Sequence, residues 1–266
     1  METRHPTPSL RFRAGACSPD SRVLPAEVAV ALTYDGSTRA VMMATPADLE
    51  DFARGFTLTE GIATRDEILS IEPVETPQGI DLRIWLAPAA SAREATRRRS
   101  MAGPVGCGLC GLDSLAEAMR PTKAVTSGFS LTARQVLAAV AALEGHQPLH
   151  DATRAAHGAA FWQGRITLSR EDVGRHNALD KLIGALAPEA AAQGAVVLTC
   201  RISIDMVQKA CAAGVPVLIG TSAPTAAAVQ QAEAAGLTLI GLARPDGFEV
   251  FTHPHRITGP EAAHVA

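Results

Sequence analysis

Two thiols three residues apart, in Gly106-Cys107-Gly108-Leu109-Cys110-Gly111, are the residues of this chain best suited to chemistry. Glycine flanks and separates them, and glycine lets a backbone take positive φ and lets another molecule come close. A buried structural thiol needs neither, so the loop reads as a place where sulfur is presented to a partner. A thiolate is the reactive form of cysteine, and arginines or a helix N-terminus lower its pKa. Arg97-Arg98-Arg99 lies upstream, and Ser114 with Glu117 fits a capping box opening a short helix through Met119. Two thiols at this spacing permit a relay. One accepts a sulfane sulfur as a persulfide; the other attacks it, forms a disulfide and releases the outer sulfur in reduced form. Spacing leaves the order of the two thiols open. It also leaves a zinc pair, a redox pair and a plain turn as alternatives, although zinc needs about four ligands and Cys17, Cys200 and Cys211 are scattered. A thioredoxin-like pair would open a helix after the first strand of a βαβ unit, which is not the context here.

A second constellation is Arg170-Glu171-Asp172-Val173-Gly174-Arg175-His176-Asn177-Ala178-Leu179-Asp180-Lys181, dense in charge and placed where a strand should hand over to a helix. Such a junction offers free N–H groups and a positive dipole end, with Arg175 and His176 added for an anion. A salt-bridged helix start without a ligand is the competing reading, and Gly174 among the charges favours the ligand. Thr199-Cys200-Arg201-Ile202-Ser203 and Thr221-Ser222-Ala223-Pro224-Thr225 each follow an expected strand and precede an expected helix, the position at which open α/β sheets bind ligands. Together the three stretches describe one polar sheet edge suited to a phosphate-bearing ligand, such as a nucleotide or a nucleotide-containing cofactor.

The elements that must position these residues follow from pattern. Residues 1–20, rich in Pro, Arg and Ser, read as a loose arm. Strands at 26–33 and 38–43 surround Asp35-Gly36, a strong hairpin signal. A helix follows, with Thr45 as cap, Pro46 at its first position, and Leu49, Phe52, Ala53 and Phe56 on its apolar face. Strands at 70–74 and 81–86 complete a small ββαββ unit ending near residue 88. Ser130 or Thr132 caps a later helix carrying Val136, Leu137, Val140 and Leu143, closed by Gly145. A second hairpin turns at Gln163-Gly164. Helices at 177–187, 203–213 and 224–235 then alternate with apolar strands at 195–199, 215–220 and 237–243, and a last strand covers 249–252. Apolar strands alternating with helices indicate a sheet buried on both faces, made mixed by the hairpin.

Composition sets the limits. Hydrophobic residues make up 47% of the 266 and aromatics only 4%, so the core must be built from Ala, Val, Leu and Ile. With 24 basic against 27 acidic residues, a general nucleic-acid or membrane-surface role lacks electrostatic support. No apolar run approaches the roughly 18 residues of a membrane span, and Met1–Arg13 shows no secretory signal. Five cysteines without an export signal fit free thiols in a reducing cytoplasm.

With these residues in hand, the chain from about Pro25 to Ile257 resembles the formate dehydrogenase accessory sulfurtransferase family, FdhD. The resemblance rests on the Cys107–Cys110 loop, on REDVGRHNALDKLIG from Arg170 to Gly184, on Met206-Val207-Gln208-Lys209-Ala210 and on Ser222-Ala223-Pro224-Thr225. Thr45-Pro46, Gly55-Phe56 and Thr59-Glu60-Gly61 match the family's N-terminal part. It implies a cytoplasmic sulfurtransferase that takes sulfur from a cysteine desulfurase as a persulfide on Cys107, with Cys110 as companion. The sulfur passes to a molybdenum cofactor carrying two pyranopterin guanine dinucleotides, held as cargo before it enters formate dehydrogenase. The cofactor-contacting stretch falls on Leu242, Ala243, Arg244, Pro245, Asp246 and Gly247, joined by Arg175, His176, Arg201 and Ser222. A homodimer is implied, and no zinc. The alternatives are a cofactor-binding chaperone that handles no sulfur, and a paralogue serving another molybdoenzyme.

The implied architecture is mixed α+β and α/β. It comprises the arm (1–20), an N-terminal α+β domain (21–125) ending in the cysteine loop, and a three-layer mixed-sheet domain (126–266) similar to cytidine deaminases. Deaminase chemistry itself is not expected, because zinc deaminases need His-x-Glu and Pro-Cys-x-x-Cys, whereas His157 is followed by Gly158 and Ala159. Two departures from the family pattern fall near the ligand edge. Arg154 and Ala155 stand where Gly-Gly is usual, and Cys200 stands where Gly is usual.

Overall fold

The computed structural model describes residues 1–101 and 122–259. Residues 1–20, expected as a loose arm, form instead most of an antiparallel ribbon, β1 (Arg4–Arg13) and β2 (Ala16–Pro25). Its turn is Ala14-Gly15, both at positive φ (48° and 81°), the geometry that matches hairpin twist. The prolines it contains are tolerated because a two-stranded ribbon is all edge.

β3 (Val28–Tyr34) and β4 (Ser37–Ala44) turn at Asp35-Gly36. The helix α1 (Leu49–Thr59) follows, then β5 (Ile68–Thr76) and β6 (Gly79–Leu86). The four strands form one sheet in the order β4-β3-β6-β5, with β3 parallel to β6. Alternate residues Val30, Leu32, Tyr34, Ile80, Leu82 and Ile84 pack one face against Phe52 and Ala53 of α1. The expected ββαββ unit is therefore present. Its helix begins later than expected: Asp48, with φ 51°, is the residue before it. Thr45 cannot cap because its groups are engaged elsewhere. Its N–H donates to Asp172, its hydroxyl accepts from the Val173 N–H, and its carbonyl accepts from Lys181. The Ala- and Ser-rich stretch after β6 is a helix, α2 (Pro88–Met101).

The remainder is a three-layer unit. β7 (Leu131–Thr132) leads into α3 (Ala133–Leu143), whose N-cap Thr132 shares a capping box with Gln135. Gly145 does not close this helix, which runs on as a single 3-10 turn over Glu144–His146. Then come α4 (Pro148–Thr153), β8 (His157–Trp162), β9 (Ile166–Asp172), α5 (Arg175–Ala185), α6 (Pro188–Ala191) and β10 (Ala195–Leu198). The chain continues through α7 (Ile204–Ala212), β11 (Val217–Gly220), α8 (Ala226–Ala235), β12 (Thr238–Arg244) and β13 (Gly247–Val250). β14 (Ile257–Thr258) returns to pair with β7.

The six-stranded sheet runs β13-β12-β11-β10-β8-β9, parallel at β10-β11-β12 and antiparallel at β8-β9, β8-β10 and β12-β13. Successive residues of each strand face opposite sides. Phe161, Val196, Leu198, Leu218 and Leu239 pack with α5, α7 and α8, whereas Trp162, Val197, Ile219 and Ile240 pack with α3. That alternation makes the continuous apolar strands of the sequence necessary. Among the described residues no helix is long and apolar enough to cross a membrane.

Candidate functional site at the carboxyl edge of the sheet

Strand direction decides which loops meet. β10, β11 and β12 run parallel, so their carboxyl ends share one edge. β8 runs against β10, and β9 against β8, so the start of β8 and the end of β9 lie at that same edge. His157, the Arg175-His176 helix start, Thr199–Ser203, Thr221–Ser222 and the β12–β13 turn are thereby gathered, although up to 90 residues of chain separate them. The loops after β10 and β11 are joined directly. Ile202 and Pro224 form a parallel bridge, and the Thr225 N–H donates to the Ile202 carbonyl at 2.9 Å. The Leu242 N–H donates to the Ser222 carbonyl at 3.2 Å.

Most of the charged stretch from Arg170 to Lys181 does not face this edge. Arg170 donates twice to Asp51 of α1 (2.7 and 3.0 Å), and Glu171 accepts from the Leu149 and His150 N–H groups at the start of α4. Buried Asp172 accepts from Thr45 and Gly174 N–H groups and from Asn177, and pairs with buried Lys181 at 2.6 Å. Buried Asp180 meets Thr59 at 2.7 Å and Lys209 at 2.9 Å. Arg170, Asp172, Asp180 and Lys181 fasten the N-terminal unit to the three-layer unit, whereas Glu171 ties α4 to β9 within the latter. Gly174 belongs with them, because a Cβ there would lie 2.7 Å from the Asn177 amide. Side-chain packing, rather than ligand approach, requires that glycine. Arg175 and His176 remain for the edge.

Electrostatics at the edge are set by those two residues and their neighbours. Burial pushes the Cys200 thiol up to about 11, against the partly opposing effect of Arg175 and Arg201. Burial also lowers the His157 imidazole, and the charges of Arg175 and His150 add to that. Burial dominates both shifts, and the smaller contributions of Arg175, Arg201 and His150 are those of a locally cationic field. His176 Nε2 lies 2.5 Å from Asp205 Oδ2, which also accepts from Ser203 Oγ at 3.0 Å. The hydrogen bond with His176 holds the Asp205 carboxyl well below the usual range, despite partial burial.

The remaining sequence-predicted residues fall as follows. Arg201 is exposed and Ser222 half-buried at the same edge. In the stretch Leu242–Gly247, Leu242 takes φ 52° beside a register shift of the ladder, so the strand bends there. Arg244, Pro245 and Asp246 are exposed in the turn, and Gly247 pairs with Arg244. Ala243 is fully buried in the core and offers no side chain to a ligand. Arg154, one of the departures, has φ 58°, a conformation glycine adopts at no steric cost. Ser203 belongs to the stretch the sequence places at this edge, but Asp205 lies beyond it, and nothing local in the sequence ties Asp205 to His176.

Cys107, Cys110 and the short helix expected over 114–119 lie outside the described residues. Their described flanks are anchored away from the candidate edge. Arg97 of α2 donates to the Glu60 carbonyl at 2.9 Å, and Thr122 accepts from Gln231 at 2.9 Å. Between these flanks a cavity of about 670 Å³ is lined by residues including Ile62, Arg65, Arg93, Lys123, Leu186 and Gly214. It sits by the carboxyl ends of α5 and α7, at the opposite end of those helices from Arg175 and Asp205. Among the described residues no group of three or more His, Cys, Asp or Glu side chains is arranged to hold a metal ion.

A family model described as FdhD/NarQ matches residues 25–258. The chain belongs to the FdhD/NarQ family. It is 50% identical over 252 residues to a sulfur carrier protein FdhD of Agrobacterium fabrum, covering 92% of this chain and 93% of that one. It is 44% identical over 270 residues to the sulfur carrier protein FdhD of Bordetella petrii, covering 95% and 97%. A crystal structure described as that of a formate dehydrogenase accessory protein from Desulfotalea psychrophila superposes with a TM-score of 0.77 over 97% of this chain and all of that one. At 24% identity that likeness speaks to the fold, which this FdhD/NarQ chain shares.

Proposed function

We propose that the protein is a sulfurtransferase that serves formate dehydrogenase maturation in the cytoplasm. The observation that carries this reading is half-identity, over nine-tenths of the chain, to a protein named as a sulfur carrier. A cysteine desulfurase loads Cys107 as a persulfide. The Cys110 thiolate attacks the inner sulfur, a Cys107–Cys110 disulfide forms, and the outer sulfur leaves as hydrosulfide. The two electrons come from the cysteines, so a thiol reductant must restore them before the next cycle.

The acceptor in this reading is the molybdenum bis(pyranopterin guanine dinucleotide) cofactor, bound as cargo at the carboxyl edge. Arg175, His176 and Arg201 supply cationic donors for phosphate oxygens. Ser222 and the turn around Leu242, Arg244, Pro245, Asp246 and Gly247 supply hydroxyl and backbone contacts. Four strand spacings separate β9 from β12, roughly 19 Å, a span that suits an extended dinucleotide better than a single phosphate. The three-layer unit is compatible with the cytidine deaminase-like fold implied by the resemblance, and the missing His-x-Glu argues against deaminase chemistry.

Complementation of a strain lacking the family member tests this reading. The Cys107→Ala/Cys110→Ala double variant should leave formate dehydrogenase inactive while the protein accumulates normally. Full maturation by that variant would make the protein a cofactor chaperone without sulfur chemistry.

A further inference from the structure

The pairing of His176 with Asp205 has no counterpart among the charges that fasten the two units together. His176 stands on the first turn of α5 and Asp205 on the first turn of α7, the helices that leave the edge after β9 and β10. The two side chains are 30% and 44% exposed, so neither is locked in the core. Surface ion pairs of this kind contribute little to stability, which leaves orientation as the effect with consequences. Asp205 is itself oriented by Ser203 Oγ at 3.0 Å. That hydroxyl makes no side-chain cap hydrogen bond to its own helix, so it is used on Asp205 instead.

The hydrogen bond made by one imidazole nitrogen decides what the other can do. With Nε2–H donating to Asp205, Nδ1 is the nitrogen left for a ligand, and no hydrogen bond to it is present among the described residues. Protonated, Nδ1 donates to an oxyanion; neutral, it can only accept. Among the neighbouring charged groups, His157 on β8 feels His176 together with Arg175 on α5, His150 on α4 and Asp172 at the end of β9, and Cys200 after β10 feels Arg175 and Arg201. Asp172 is committed to Lys181 and the Thr45 N–H, so Asp205 is the carboxylate that acts on His176.

We propose that Asp205 is a positioning residue for His176, aiming Nδ1 at a phosphate oxygen of a guanine nucleotide group bound at the carboxyl edge. The inference rests on the cargo reading above and adds a residue to it. Aspartate fixes the ring, so that the imidazolium form presents its Nδ1–H to the phosphate alongside Arg175 and Arg201.

Calorimetric titration of the full-length protein with GDP tests this. His176→Gln should bind about tenfold more weakly than the wild type. Asp205→Asn, which leaves the imidazole in place but removes the carboxylate that aims it, should also weaken binding about tenfold. Asp205→Glu should restore part of the loss. Circular dichroism and thermal melting establish that each variant is folded. Ser203→Ala, which removes only the support of Asp205, should show a smaller loss of affinity and serves if Asp205→Asn does not fold. A folded Asp205→Asn protein with wild-type affinity overturns the inference and leaves the cargo site standing. Failure of the wild type to bind GDP overturns both.

Discussion

Gly55 of α1 and Gly184 of α5 let two helices from different halves of the molecule meet backbone to backbone. A Cβ on Gly55 would stand 1.7 Å from the Asp180 carbonyl oxygen, and one on Gly184 would stand 1.9 Å from that of Asp51. No rotamer relieves either clash, because both obstructing atoms are main chain. Gly55→Ala should therefore destabilise the protein by about 3 kcal/mol, lowering Tm by about 10 °C. Gly61→Ala, at a position with open space but φ 63°, should cost only about 1 kcal/mol. Equal melting temperatures for the two variants would contradict this account of the seam.

Lys209 is the second fastening of that seam. Its ammonium reaches Asp180 on α5 and Thr59 and Glu60 at the end of α1, all within 3.0 Å. Removing one partner of a buried pair leaves the other charge without compensation. Lys209→Met should cost about 3–5 kcal/mol in chemical denaturation, and Lys209→Met/Asp180→Asn should cost less than the sum of the two single changes.

This seam explains what could and could not be read from sequence. The turns at Asp35-Gly36 and Gln163-Gly164 were legible because Asp-Gly and glycine at positive φ are local signals. The Thr132 cap with Gln135 was legible for the same reason, as were the doubly buried strands β10, β11 and β12. The N-terminal ribbon was not legible, because Ala14-Gly15 is a poor turn signal and its strands are exposed and rich in proline. The Arg170–Lys181 stretch announced a special region but not its division of labour. Its partners Thr45, Asp51 and Thr59 lie about 120 residues away, so only the fold shows which charges fasten the halves and which reach the edge. Arg175 and His176 were identified by their position before a helix. Asp205 was not, because its importance lies in a residue 29 positions earlier.

Acid should loosen the protein in a window set by His157. Burial and the charge of Arg175 lower its folded-state value, so below about pH 6.5 the unfolded chain binds a proton that the folded chain resists. Stability contributed by this residue is present above the ordinary imidazole value of about 6.5 and is lost as pH falls below it toward the lowered folded-state value. Asp205 adds nothing in that window, because its depressed value means its contribution is lost only as pH falls below the ordinary carboxylate range. His157→Gln should flatten the decline measured by denaturant unfolding. An unchanged slope would assign the acid sensitivity to other groups.

Sulfur loading of the intact protein tests the central claim most directly. After incubation with a cysteine desulfurase and cysteine, the wild type should gain about 32 Da, one sulfur atom, removable by a thiol reductant. Peptide mapping should place it on Cys107. Cys200 and Cys211 should carry none, because burial pushes their thiols up to about 11 and about 12. Cys107→Ala should abolish the gain while GDP binding survives. Undiminished, reductant-sensitive loading of the Cys107→Ala protein would contradict the account.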